Sequence, residues 1–511
     1  GAMSEDRSAA EARSSREQHG GAMSEDRSAA EARSSHVQHG GAMSEDRSAA
    51  KLRVMRLPED MKAWVESETG ATVIGADRQA GGGRKEAWFI DLLRADGTEE
   101  GIFMRWDQTD PVATGDPWTV RREAEVYRSL RDTDVPVARF IAMHPTAQVM
   151  LATRVHGATW FSHIKDSDEQ VAVAKDFIGH LAALHRIDVH DLPLSRFDPD
   201  ASLRDMAIDQ IDEMEALVAF RGGSPEPLLR LALDWLRDNV PDYEGPAVLV
   251  QGDTGPGNFM YADAKVTAIV DWELAHYGDP MDDIAWVTLR ALQEPFTDLK
   301  ARFAEYQALS GHRLDLARIK YYRVMGEAKI VTMNHGISLK TRAEGAGGGA
   351  DVGARLIFGQ LHRRLCAEAL ADVMGLQLPL PELREEPPAG DLDDLFDVVL
   401  DQMREVIVPR ITDNFALQRT KGMARVLKYL AVASRRGPGF AALELEDLER
   451  VLGDRVGSVA EGRALLAQRV EARELGVAEA LPVLYNRLAR DNELLRGASG
   501  VLADRHYFDP I

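Results

Sequence analysis

Three oxygen-bearing side chains stand at intervals that suit phosphoryl transfer: Asp253, Asn258 five residues on, and Asp271 thirteen beyond that. Such chemistry needs a carboxylate to orient or accept the proton of an attacking hydroxyl, and oxygen ligands that hold a divalent cation against nucleotide phosphates. Magnesium takes a few hard oxygens and keeps its other waters. On this reading Asp253 is the catalytic residue, orienting the acceptor hydroxyl, and Asn258 and Asp271 ligate Mg2+. For any one of these residues a solvated turn is the plainer reading, because Asp, Asn and Gly are common turn formers. The order and spacing of all three favour the chemistry.

Local elements must bring the three together. Val248, Leu249 and Val250 form a short apolar run that reads as a buried strand, ending in Gln251-Gly252-Asp253 and then Gly255, Pro256 and Gly257. A strand therefore feeds a tight loop. Phe259 to Tyr261 and Val266 to Val270 read as two short strands joined by a turn at Asp263 and Ala264, so the chain doubles back with Asp271 at its end.

The stretch resembles the active-site region of the aminoglycoside phosphotransferase family, a branch of the protein-kinase-like fold. The likeness rests on Gln251-Gly252-Asp253 with Asn258, on Val270-Asp271-Trp272-Glu273, and on Gly278-Asp279-Pro280 followed by Asp283. Aspartate, asparagine and aspartate stand in the order of the catalytic and metal-binding residues of kinases. Gln251 departs from the family's histidine and Arg105 from its lysine. The Leu181 to His185 run resembles a family helix in which His185 packs rather than reacts.

The resemblance implies an α+β, bilobal protein-kinase-like fold: a small antiparallel-sheet N-lobe over 51–155, a mainly helical C-lobe with the catalytic loop over 156–376, and ATP with Mg2+ between them. The residues supply the expected N-lobe parts in order. Gly81-Gly82-Gly83-Arg84 is a loop whose backbone amides can approach phosphates. Ala87 to Leu93 and Gly101 to Trp106 read as strands joined at Asp96-Gly97, which places Arg105 at the position of the nucleotide-binding cation. On the helix Val120 to Leu130, Glu123 rather than Glu125 is the partner implied for Arg105. Backbone groups around Ala152 to Val155, with Arg154, are the expected adenine contacts.

The Gly-Gly-Gly-Arg loop, Arg105 and the Asp-Trp-Glu step look more like the acyl-CoA-associated branch, which includes kinase domains fused to acyl-CoA dehydrogenases and the hydroxyacyl-CoA kinase of levulinate catabolism. That branch implies a small-molecule hydroxyl acceptor, a CoA-linked one or a related hydroxy acid, and an acyl-CoA dehydrogenase acting on the product. Lys329, Lys340, Arg342 and Arg355 around a Gly345 to Gly349 loop are candidate cations for such an anion. An aminoglycoside-type antibiotic kinase and a nucleotide-binding pseudokinase scaffold are the alternatives. Retention of Asp253, Asn258 and Asp271 favours an active enzyme.

The whole chain frames these readings. With 45% hydrophobic residues among 511, it can bury a large core and hold more than one domain. A formal charge of −22 argues against general nucleic-acid binding. One cysteine, Cys366, excludes an intrachain disulfide and suits a reducing cytoplasm. No run of about 18 apolar residues points to a membrane span. Residues 1–50 repeat GAMSEDRSAA three times and read as a disordered, tag-like segment. Residues 377–391, with Pro379, Pro381, Pro387 and Pro388, read as a linker to an all-α accessory domain over 392–511. There Leu395, Val399, Met403 and Val406 share one helical face, as do Met423, Val426, Leu427 and Leu430. The tail resembles, in size and helicity, the small helical partner of the levulinate enzyme.

Overall fold

Alternating side chains along the N-terminal strands build the first layer of this computed structural model, which describes residues 57–79, 85–221, 223–335, 352–383 and 386–505. The repeats over 1–50, and Gly81, Gly82, Gly83 and Arg84, lie outside the described residues. Strands β1 (Thr72–Arg78), β2 (Glu86–Leu93), β3 (Glu99–Asp107), β4 (Phe140–Met143) and β5 (Gln148–Thr153) form an antiparallel sheet in the order β1-β2-β3-β5-β4. Trp88, Ile90 and Leu92 of β2 bury one face with Ile102, Met104, Val149 and Leu151, against Met61 and Val65 of helix α1 (Glu59–Thr69). The opposite face carries two cross-strand rows in register, Phe89–Phe103–Ala152 and Ala87–Arg105–Met150. Helix α2 (Val120–Ser129) is capped by Thr119, whose hydroxyl accepts from the Arg122 amide, and packs Val120, Ala124 and Tyr127 into the same core as Met150 and Ala152.

Beyond the sheet the chain is mainly helical, through α3 (Ser167–Leu184), α4 (Leu203–Phe220), α5 (Pro227–Asp238), α6 (Pro280–Gln293), α7 (Leu299–Ser310), α8 (Leu316–Asn334) and α9 (Val352–Met374). Two short antiparallel pairs interrupt it: β6 (Val248–Val250) with β9 (His276–Gly278), and β7 (Phe259–Ala262) with β8 (Lys265–Ile269). Asp263 and Ala264, at φ 50° and 59°, make the β7–β8 turn. Asp279 starts α6 by accepting from the Met281 amide at 2.8 Å, with Pro280 in the first turn. The fold is thus bilobal, a small antiparallel N-lobe on a helical C-lobe, followed by a helical C-terminal region.

That region comprises α10 (Asp391–Gln402), α11 (Asn414–Leu452), α12 (Val459–Glu471) and α13 (Val477–Ser499). Leu448, Leu452, Leu466, Val470, Leu481, Tyr485 and Leu488 join the same continuous apolar core as the C-lobe helices. The apolar face expected from Leu395 to Val406, over α10 and the turn that follows it, behaves differently from a core face. Leu395, Val399 and Val406 are exposed and only Met403 is buried, while Met423 and Leu430 of α11 are likewise exposed. Among the described residues no helix is long and apolar enough to cross a membrane.

Candidate active site

β6 delivers Gln251 into a loop that helix α6 holds from behind. Asp283 of α6 accepts from the Gln251 amide at 2.8 Å, the Gly252 amide at 2.9 Å and the Thr254 hydroxyl. Its other neighbour is His185, whose Nε2 lies 3.0 Å from Asp283 Oδ2 and whose Nδ1 lies 2.6 Å from the Tyr306 hydroxyl. Burial alone would lift the Asp283 carboxyl, but the bonds from His185, Thr254 and Gly252 outweigh it and hold it below the usual carboxylate range. Gly252 is required by contact: at φ 84° a Cβ would sit 2.5 Å from the Leu274 carbonyl oxygen.

Gln251 links the two halves of the site. Its Oε1 accepts from the Asp253 amide at 2.9 Å and lies 2.9 Å from the Thr254 hydroxyl oxygen, and its Nε2 donates to the carbonyls of Val270 at 3.0 Å and Asp271 at 2.7 Å. One neutral side chain therefore braces the loop of Asp253 against the turn of Asp271. Asp271 sits at φ 62°, an uncommon conformation for a non-glycine residue. The Val270 amide donates to the Asn258 carbonyl at 3.0 Å, which sets Asn258 beside Asp271.

Asp253 Oδ2 accepts from Asn258 Nδ2 at 2.5 Å, and its Oδ1 lies 3.6 Å from Arg290 Nη1. Burial pushes the Asp253 carboxyl up to about 6; Arg290 and the Asn258 bond oppose this, while the Asp271 and Glu273 carboxylates add to it. A carboxylate poised there is suited to accept a proton near neutral pH.

On the N-lobe side Arg105 is buried, with Nη2 3.0 Å from Asp271 Oδ1 and 3.7 Å from Glu273 Oε2, and Nε 3.6 Å from Glu123 Oε2. Burial opposes its charge, but Asp271, Glu123 and Glu273 together hold the guanidinium above its ordinary range. Burial lifts the Glu123 carboxyl in turn, against the pull of Arg105 and Lys85. Glu125 turns away to the Ser195 hydroxyl at 2.9 Å. Ala152 is wholly buried within the sheet, and Arg154 stacks over Phe89, 4.1 Å from its ring centre, with Nη1 3.3 Å from Asp91 Oδ1. Of the cations expected around the glycine-rich loop, Lys329 lies among the described residues. It is buried, and burial pulls its ammonium below the usual lysine range, with Asp282 as the leading opposing charge. Lys340, Arg342 and the Gly345 to Gly349 loop lie outside the described residues.

Sequence reasoning missed two cations here. The Lys85 ammonium is fully buried and lies 2.5 Å from Glu273 Oε2. Its signal was adjacency to the glycine run. Arg290 was invisible as a loop partner, although it stands seven residues after Asp283 on one helix and so on the same face. Glu123, Asp253, Asp271 and Glu273 thus face Lys85, Arg105 and Arg290. The carboxylates exceed the cations by one, and Asn258 and Asp271 add hard oxygens, a donor set that fits Mg2+. Among the described residues no group of three or more His, Cys, Asp or Glu side chains could hold a metal ion by itself.

Residues 110–321, which hold this constellation apart from Lys85 and Arg105, match the phosphotransferase enzyme family. The chain is also similar to acyl-CoA dehydrogenase family member 11 of Rattus norvegicus, 28% identical over 123 residues, 24% of this chain and 15% of that one. A similar match is the probable acyl-CoA dehydrogenase IBR3 of Arabidopsis thaliana, 31% identical over 113 residues, 21% of this chain and 14% of that one. The chain thus matches about a seventh of the length of these relatives. Among solved structures, a thermostable mutant of aminoglycoside phosphotransferase APH(4)-Ia in complex with ADP and hygromycin B is 15% identical, covering 62% of this chain and 97% of that one with a TM-score of 0.42.

Proposed function

We propose that the chain is an ATP-dependent small-molecule phosphotransferase acting on a hydroxyl, with a hydroxyacyl-CoA or related hydroxy acid as acceptor. One observation carries the reaction type: a buried carboxylate, Asp253, raised to about 6 and bonded to Asn258, across one brace from Asp271 and its cationic partner Arg105. Asp253 would accept the hydroxyl proton as the acceptor oxygen attacks the terminal phosphorus. The phosphorus–oxygen bond to ADP would break as the new one forms. Asn258 and Asp271 would hold Mg2+, which when bound offsets the charge of the phosphates. Arg105, held by Glu123, would contact the phosphates with Lys85 and the amides of Gly81 to Arg84. The row of Phe89, Phe103 and Ala152, closed by Arg154, would receive the base. The acceptor class draws support from relatives named as acyl-CoA dehydrogenases; an acyl-CoA dehydrogenase acting on the product is the partner that follows.

The test is ATP- and magnesium-dependent transfer of phosphate to a panel of hydroxyacyl-CoAs, the matching free hydroxy acids and aminoglycosides, with Asp253→Ala as control. The expected result is transfer to a hydroxyacyl-CoA or its acid, lost at least a thousandfold in the variant while nucleotide still binds. Transfer only to an aminoglycoside would replace the acceptor class. Full turnover by Asp253→Ala would overturn the assignment of the base, and nucleotide binding without transfer to any acceptor would favour a scaffold.

A further inference from the structure

We propose that Arg290 is a positioning residue for the phosphoryl-transfer reaction, fixing the catalytic loop and the orientation of the Asn258 amide from helix α6. The inference rests on the kinase reading above and extends it to a residue outside the loop. Arg290 reaches three points of that loop: Nε donates to the Pro256 carbonyl at 3.1 Å, Nη2 to Asn258 Oδ1 at 3.4 Å, and Nη1 faces Asp253 Oδ1 at 3.6 Å. The loop is moulded around it. A Cβ at Gly257, where φ is 93°, would lie 2.4 Å from Arg290 Nη2, and one at Gly255 would lie 2.7 Å from the Arg290 Cβ. Because Asp283 holds residues 251 to 254 from the same helix two turns earlier, α6 grips the loop at both ends.

The orientation of Asn258 follows from donor chemistry. A guanidinium only donates, so it selects the amide orientation that presents Oδ1, and this leaves Nδ2 to donate to Asp253. The Asp253 carbonyl and carboxylate both accept from Nδ2 and favour the same orientation, so without Arg290 the amide is held from the Asp253 side alone and loses the donor that fixes its oxygen. The base and the oxygen ligand beside it would then lose their alignment together, although neither has been changed. A lysine at this place restores charge but not the fork that spans Pro256 and Asn258.

The experiment compares Arg290→Met and Arg290→Lys with the parent chain in steady-state kinetics and in hydrogen exchange of the loop. We expect Arg290→Met to lower kcat about a hundredfold with KM for ATP changed less than threefold, and Arg290→Lys to recover roughly tenfold of that loss. Amides of residues 253, 254 and 258 should exchange faster in Arg290→Met, with those of α6 unchanged. A kcat within twofold of the parent, or a loss confined to KM, overturns the inference, as does unchanged exchange in the loop. Exchange is read without substrate, so it decides the role of Arg290 even if the parent chain transfers phosphate to nothing. Lack of transfer by the parent would count against the kinase reading alone.

Discussion

At the scale of single residues the site is an arrangement of charges taken out of water and made tolerable by specific partners. Asp253 is only partly compensated. Its nearest cation stands 3.6 Å away, beyond hydrogen-bonding distance, and two further carboxylates share its surroundings. The sign of the resulting pH dependence is fixed: a base with a pKa raised to about 6 is active when ionised, so kcat/KM should rise with pH through about 6 and fall about tenfold per unit below it. A profile in kcat/KM against acceptor measures the free enzyme's group directly. An acidic limb still flat at pH 5 would show that Asp253 is not the group whose ionisation matters. Gln251 shows why a departure from the family's histidine need not disturb this chemistry. A primary amide offers both N–H donors and an acceptor oxygen, and here the two N–H groups reach the carbonyls of residues 270 and 271 while the oxygen accepts from the amide of residue 253.

At the scale of elements, what was legible in the sequence was local. The glycine after β6, the turn at Asp263 and Ala264, the hairpin of β2 and β3, and α2 with Glu123 on its inner side all follow from residue types within a few positions of one another. Lys85 meeting Glu273 and Arg105 meeting Asp271 were not legible as contacts, because pairs separated by 188 and 166 positions leave no periodic trace. Patterning also overstated burial. Leu395 and Val399 repeat like a core stripe on α10, yet Leu395 is 62% exposed, because a pattern states that a face is apolar and not that anything covers it. The β7–β8 turn carries a residue that the geometry does not favour, since Ala264 at φ 59° bears a left-handed conformation that costs an L-residue about 1 kcal/mol or more. Ala264→Gly should therefore stabilise the protein by roughly 0.5–1 kcal/mol in urea unfolding, with the site's kinetics unchanged. Destabilisation on that substitution would mean that the alanine methyl makes a contact outweighing the strain.

At the scale of the whole molecule, the C-terminal region is bound into the kinase-like body at two places of different character. Near its end, α12 and α13 share the C-lobe's apolar core through Leu466, Val470, Leu481 and Tyr485. At its beginning, the start of α11 reaches the N-lobe. Phe415 lies under the guanidinium of Arg78, 4.7 Å from the ring centre, and lines a groove with Pro58, Trp88 and Trp106. Arg78 closes β1 and is held by Glu86 at 2.7 Å, and the chain continues from it into the glycine run that the proposed function gives to the phosphates. A helix anchored in the C-lobe core thus touches the strand that leads toward that glycine run, so the two lobes are joined by a route other than the segment after β5. An aromatic contact of this kind contributes on the order of 1 kcal/mol where it is partly exposed, enough to bias the sheet's position without fixing it. Phe415→Ala should accordingly raise KM for ATP several-fold, leave kcat within twofold, and speed amide exchange in β1 while α12 and α13 exchange as before. If KM and β1 exchange both stay at their parent values, the contact joins the lobes only in passing, and the sheet is positioned by Arg105, Lys85 and the core around α2 alone.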